Sequence, residues 1–123
     1  VMTVVAVLIA GAFGAVARFV VDGAIKQRRS TVFPWATLVI NVTGSLLLGV
    51  LAGLVIYHAA PTDLQVIVGT GFCGGYTTFS TASVETVRLA QRRRSALAVS
   101  NAIGSVVGAT AACAVGLAVA WAI

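Results

Sequence analysis

The chain has 123 residues, of which 59% are hydrophobic and only 9% charged, with a mean hydropathy of +1.05. A water-soluble domain of this length needs a polar surface that this composition cannot supply. The apolar residues also come in long blocks, not at the one-in-two or one-in-3.6 spacing of half-exposed elements. An all-α membrane protein is expected, a single transmembrane domain over residues 1–123. Four spans fall near 2–22, 34–57, 64–88 and 96–121, each long enough for a hydrocarbon core of ~30 Å, which takes ~20 helical residues.

The first span lacks the basic leading region of a signal peptide and carries Arg18 inside it, so it is read as retained. Arg18 lies within a turn or so of the span's end, suited either to snorkelling to the interface or to drawing anions into a vestibule. Pro34 and Trp35 open the second span, with proline suited to a first helical turn and tryptophan to the interface. Within it Thr37, Asn41 and Ser45 recur every four residues and trace one polar stripe, and Gly49 and Gly53 form a GxxxG pair. His58 is read as solvated in a short loop. Pro61-Thr62-Asp63 is a turn signal in which Asp63 could cap the third span.

The third span contains GFCGGYTTFSTA over residues 71–82. Gly74-Gly75 and four hydroxyl residues are poor material for a continuous helix, so a break near the middle of the span is expected. Unwound backbone there would expose carbonyls suited to a small cation, and the next half-helix would begin with free N–H groups. Phe79 follows, and an aromatic ring has a positive edge that can face an anion. Glu85, three residues before Arg88, is placed for a helical ion pair. The fourth span repeats the polar pattern with Asn101 and Ser105 four apart, and Gly104 and Gly108 form a second GxxxG pair. Cys73 and Cys113 are in no metal-ligand spacing and are read as small packing residues.

The stripes favour a lined pathway over simple interhelical glue, and their chemistry is biased toward hydrogen-bond donors, with no carboxylate central in any span. The net charge of +5 need not imply nucleic acid. Seven of the eight basic residues lie in or beside the loops joining spans 1–2 and 3–4, and none lies at the other end of the bundle. This is a positive-inside pattern that makes those loops cytoplasmic and puts both termini outside.

Residues Gly71 to Thr81 closely resemble the signature of the Fluc/CrcB family of fluoride channels. Gly11-Ala12-Phe13-Gly14-Ala15-Val16-Ala17-Arg18 resembles that family's glycine-rich first helix, and Asn41-Val42-Thr43-Gly44-Ser45 through Gly49 its second-helix motif. The resemblance covers the whole chain. It implies an antiparallel dual-topology dimer in the cell membrane, with two pathways passing fluoride passively outward. It also implies a structural, untransported Na+ held by the carbonyls of Gly74 and Thr77. By the same resemblance Asn41, Phe79, Ser80 and Thr81 line the fluoride pathway, beside Asn101 and Ser105 from the polar stripe, and Arg18 and Glu85 belong to the vestibule.

One position departs from the family pattern Phe-Ser-Thr-Phe, because this chain reads Phe79-Ser80-Thr81-Ala82. The second ring is absent. An antiparallel homodimer also needs nearly balanced loops, which seven charges against none are not. A heterodimer with a related, oppositely oriented subunit is therefore expected over a homodimer, and a non-conducting or half-functional subunit is the alternative. A small-multidrug-type exporter would carry a membrane-embedded glutamate in its first span, yet residues 2–21 contain no carboxylate. An enzyme is not expected, since no nucleophile–base set, carboxylate pair or metal-ligand cluster is present.

Overall fold

A computed structural model describes residues 1–123 and is helical throughout, without a strand. The elements in chain order are α1 (Met2–Arg28), α2 (Trp35–His58), α3 (Thr62–Leu64), a π-helical segment (Gln65–Cys73), α4 (Gly74–Tyr76), α5 (Phe79–Gln91) and α6 (Ser95–Ala122). Three of them, α1, α2 and α6, are long and apolar enough to cross a membrane. The span expected at 64–88 is a composite of four short pieces.

The first helix runs six residues past the expected boundary at 22. No proline intervenes before Arg28, and an i, i+4 ion pair between Asp22 and Lys26, 3.0 Å long, supports the added turns across Gly23. Lys26 and Arg28 in the last turn also offset the helix dipole. At the other end of the bundle α2 stops at Ala59, which takes the left-handed conformation (φ 52°), and Ala60 N–H returns to the Leu54 carbonyl at 3.2 Å. Asp63 caps nothing: it lies inside the first turn of α3, whose capping position is Pro61 and carries no side-chain bond. His58 is not free in solvent either, since its Nε2 sits 2.7 Å from the Ala120 carbonyl and clasps α2 to the end of α6.

Two close packings organise the bundle. The most extensive is α2 on α6, where a Cβ at Gly49 would stand 2.1 Å from the Cys113 carbonyl oxygen, so only glycine allows this approach. The second lays α1 against the π-helical segment and α4, where a Cβ at Gly75 would meet the Gly11 carbonyl at the same 2.1 Å. The second GxxxG pair is divided: a Cβ at Gly104 would meet nothing within 4 Å, whereas one at Gly108 would stand 3.3 Å from Val42 Cγ2 on α2.

Only 17 of 123 residues are buried, and large apolar side chains such as Phe13, Phe79 and Val106 stand largely exposed. That distribution is inverted relative to a soluble fold and matches a chain whose outer surface meets lipid or another apolar face.

Candidate functional site

The composite third segment stops being helical at two residues. Thr77 (φ −79°, ψ 161°) and Thr78 (φ −148°, ψ 122°) are extended, and the helix resumes at Phe79. The reason is local and identifiable. Thr78 N–H, which in a continuous helix would close on the Gly74 carbonyl, donates instead to Asn41 Oδ1 at 2.8 Å. Asn41 Nδ2 donates in return to the Thr78 carbonyl at 2.9 Å. One side-chain amide thus satisfies both backbone polar groups of Thr78, as a neighbouring strand would.

The flanking turns are held separately. Thr77 N–H and Oγ1 both donate to the Cys73 carbonyl at 2.8 Å, closing the end of α4. Thr78 Oγ1 accepts from Thr81 N–H at 3.2 Å and caps α5. Arg18 reaches across from α1, where its guanidinium donates to the Thr77 carbonyl at 3.2 Å. Its hydrogen bond goes to the break, so it does not extend freely to the interface.

Beside the break lies a groove of about 690 Å³ between α2, α5 and α6. Asn41, Ser45, Thr77, Thr78, Ser83, Thr86, Ser105 and Thr110 supply its polar lining, and no charged residue lines it. Phe79 and Ala82, three apart on α5, stand on the same wall, and Phe79 is 88% exposed. Ser105 Oγ is shielded from solvent yet has no hydrogen-bond partner, the only buried side-chain polar atom in the chain in that condition. Buried polar atoms are nearly always partnered, so this one marks a place for a ligand or water.

The residues singled out in the sequence separate into three places. Asn41, Gly74, Thr77, Phe79 and Ser105 line the groove. Ser80 and Thr81 lie on the exposed first turn of α5, outside it. Asn101 is also outside: it is 1% exposed, and its Nδ2 donates to Thr86 Oγ1 at 2.8 Å between α5 and α6. The stripe of Thr37, Asn41 and Ser45 likewise divides. Thr37 donates to the Glu85 carboxylate in a 2.5 Å charge-assisted bond, Asn41 holds the break, and Ser45 faces the groove. Glu85 therefore does not pair with Arg88, because the single ion pair of the structure is Asp22–Lys26. Thr86 and Thr110 are groove residues that the sequence reading passed over. The signal for Thr110 was its place on the same α6 face as Ala102, Ser105 and Ala109.

A polytopic helical membrane protein, with one span interrupted beside an uncharged, hydroxyl-rich groove, is the class that this fold and site define. More particularly, the chain belongs to the CrcB family: residues 5–117 match the profile described as "CrcB-like protein, Camphor Resistance (CrcB)". It is 49% identical over 116 residues to the "Fluoride-specific ion channel FluC 1" of Leifsonia xyli, covering 94% of this chain and 85% of that protein. Identity to "Fluoride-specific ion channel FluC 2" of Cutibacterium acnes is 54% over 90 residues, 72% and 73% of the two chains. To the protein of the same name from Mycobacterium tuberculosis H37Rv it is 45% over 112 residues, 91% and 86%. These relatives are ion channels, and the chain is not an enzyme.

Proposed function

We propose that this chain is a subunit of a fluoride-selective channel that passes F− passively out of the cell through the groove beside Thr78. The observation that carries the reading is Ser105 Oγ, a shielded hydroxyl without a partner in a groove lined by hydroxyls and amides and by no charge. A small, hard anion accepts hydrogen bonds from such donors, and a groove free of carboxylates does not repel it. Asn41 has a second N–H beyond the one given to Thr78 and adds a donor at the break. The names of the relatives give the reading its ion.

The composite third segment serves as the fourth span in this reading, and the basic loops lie on the cytoplasmic side. Gly74 and Thr77 would hold the structural Na+. Their donors fit a hard cation: the Gly74 carbonyl is released when Thr78 N–H turns to Asn41, and nothing in the chain lies within 4 Å of a Cβ built at Gly74. The Thr77 carbonyl accepts from Arg18 and keeps a second lone pair. When bound, the ion would supply a fixed positive charge beside the break.

The unused space at Gly74 and Gly104 and the exposed Phe79 ring support assembly against a second, antiparallel subunit. Ala82 on the same wall and the one-sided basic loops favour a related partner over an identical copy. Ala82 also supports a second reading, a subunit that stabilises a conducting partner without conducting itself.

The test is fluoride efflux from proteoliposomes holding this chain alone and then with a co-encoded relative, in Na+ and in its absence. Efflux only from the mixed pair, and lost without Na+, is the expected result. Full efflux from the chain alone, with tags found in both orientations, would rule out the heterodimer. Unchanged efflux from a mixed pair carrying Ser105→Ala on this chain would favour the stabilising subunit.

A further inference from the structure

A second pocket, of about 190 Å³, opens where the ends of α1 and α5 meet the loop before α2. Lys26 and Arg29 reach it from one side and Arg88 and Arg92 from the other. Phe33 and Trp35 form its apolar wall, their rings 4.8 Å apart. Glu85 contributes the one carboxylate, which accepts from Thr37, so four cations face a single anion. Lys26 is paired with Asp22, whereas Arg29, Arg88 and Arg92 have no carboxylate within 4.0 Å.

We propose that this pocket binds the phosphate of an anionic lipid headgroup, such as that of phosphatidylglycerol. Guanidinium groups match phosphate oxygens in geometry and charge. Basic pockets at the cytoplasmic ends of membrane helices are where anionic headgroups collect. The aromatic wall argues for a lipid over a free anion. Phe33 and Trp35 would lie along the glycerol and first acyl carbons at interface depth, where such rings are enriched. The volume suits a headgroup fragment, being below the ~300–1,000 Å³ of pockets that enclose a whole drug-sized ligand.

Membrane topology and helix dipoles account for basic residues near these ends, but not for their convergence. Arg28, in the last turn of α1, serves both purposes and Arg94, at the start of α6, serves the topology, yet both lie outside the pocket. They are therefore the internal control. The inference rests on the membrane placement of the chain and not on fluoride conduction, so either can fail alone.

The experiment is native mass spectrometry of the purified protein titrated with phosphatidylglycerol or phosphatidylcholine, with Arg88→Gln/Arg92→Gln compared against Arg28→Gln/Arg94→Gln. A basic residue that faces the bound headgroup strengthens anionic-lipid binding roughly fivefold, so loss of the two pocket arginines should lower phosphatidylglycerol affinity about 30-fold. The control pair should change it by less than about threefold. Equal losses in both pairs, or equal binding of phosphatidylcholine, would overturn the proposal. So would displacement of phosphatidylglycerol by millimolar inorganic phosphate, which would identify the occupant as a soluble anion. Should the Gln pair not purify in folded form, the single variants decide the matter, each expected to lose about fivefold.

Discussion

Asn41 is where the geometry makes its sharpest demand. Replacing it with leucine leaves Thr78 N–H and the Thr78 carbonyl without the bonds of 2.8 and 2.9 Å that they now make. Thr78 is only 9% exposed. A buried polar group stripped of its partner costs about 1–3 kcal/mol, whereas an interhelical bond between side chains in lipid averages only ~0.6 kcal/mol. The larger figure applies here because the extended backbone has no alternative partner, moderated by water reaching Thr78 from the groove. We expect Asn41→Leu to destabilise by about 2–4 kcal/mol, lowering the thermal midpoint by roughly 10 °C, and to abolish fluoride efflux.

Asn41→Asp sharpens the test. Its carboxylate can accept from Thr78 N–H but faces the Thr78 carbonyl with a second oxygen, and it adds a charge to an uncharged groove. The protonated acid offers one donor and one acceptor, as the amide does. Stability of this variant should therefore recover as pH falls, measured by fluorescence-detected unfolding in detergent. If Asn41→Leu stays within about 0.5 kcal/mol of the parent, or if Asn41→Asp gains nothing on acidification, the amide does not hold the break and the reasoning fails.

Ser105→Ala should separate conduction from folding: its Oγ bonds nothing in the chain, so stability should stay within about 0.5 kcal/mol while efflux falls roughly tenfold for one lost donor. Gly75→Ala drives a methyl into the Gly11 carbonyl, backbone against backbone, and should cost about 1–3 kcal/mol or more by thermal unfolding, whereas Gly104→Ala meets nothing and should leave the subunit's own stability unchanged. Thr37→Val strands the Glu85 carboxylate and should destabilise by about 1.5–3 kcal/mol, an effect largely absent when Glu85→Ala has already removed the acceptor, which a double-mutant cycle in thermal unfolding would read.

Much of this protein is legible in one dimension because lipid is an unforgiving solvent. Long apolar blocks must be helices, since no water is available to satisfy their backbone, so composition alone determined the membrane class and the helical architecture. The neighbourhood of the interruption was legible from the glycines and the run of hydroxyls, but not its place. Gly74 and Gly75 are helical in α4, and the chain leaves the helix at Thr77 and Thr78, where Asn41 takes the backbone bonds. What sequence spacing could not decide is which neighbour each polar residue finds. Thr37, Asn41 and Ser45 share one stripe of α2, yet one binds a carboxylate, one braces a broken peptide and one faces a groove. Asn101 has the spacing of a pathway residue and is sealed between α5 and α6 instead. Periodicity records only the direction in which a side chain leaves its own helix. Whether that direction meets a partner, an ion path or lipid depends on how close the glycine contacts at Gly49 and Gly75 draw the helices together, and only the folded chain settles that.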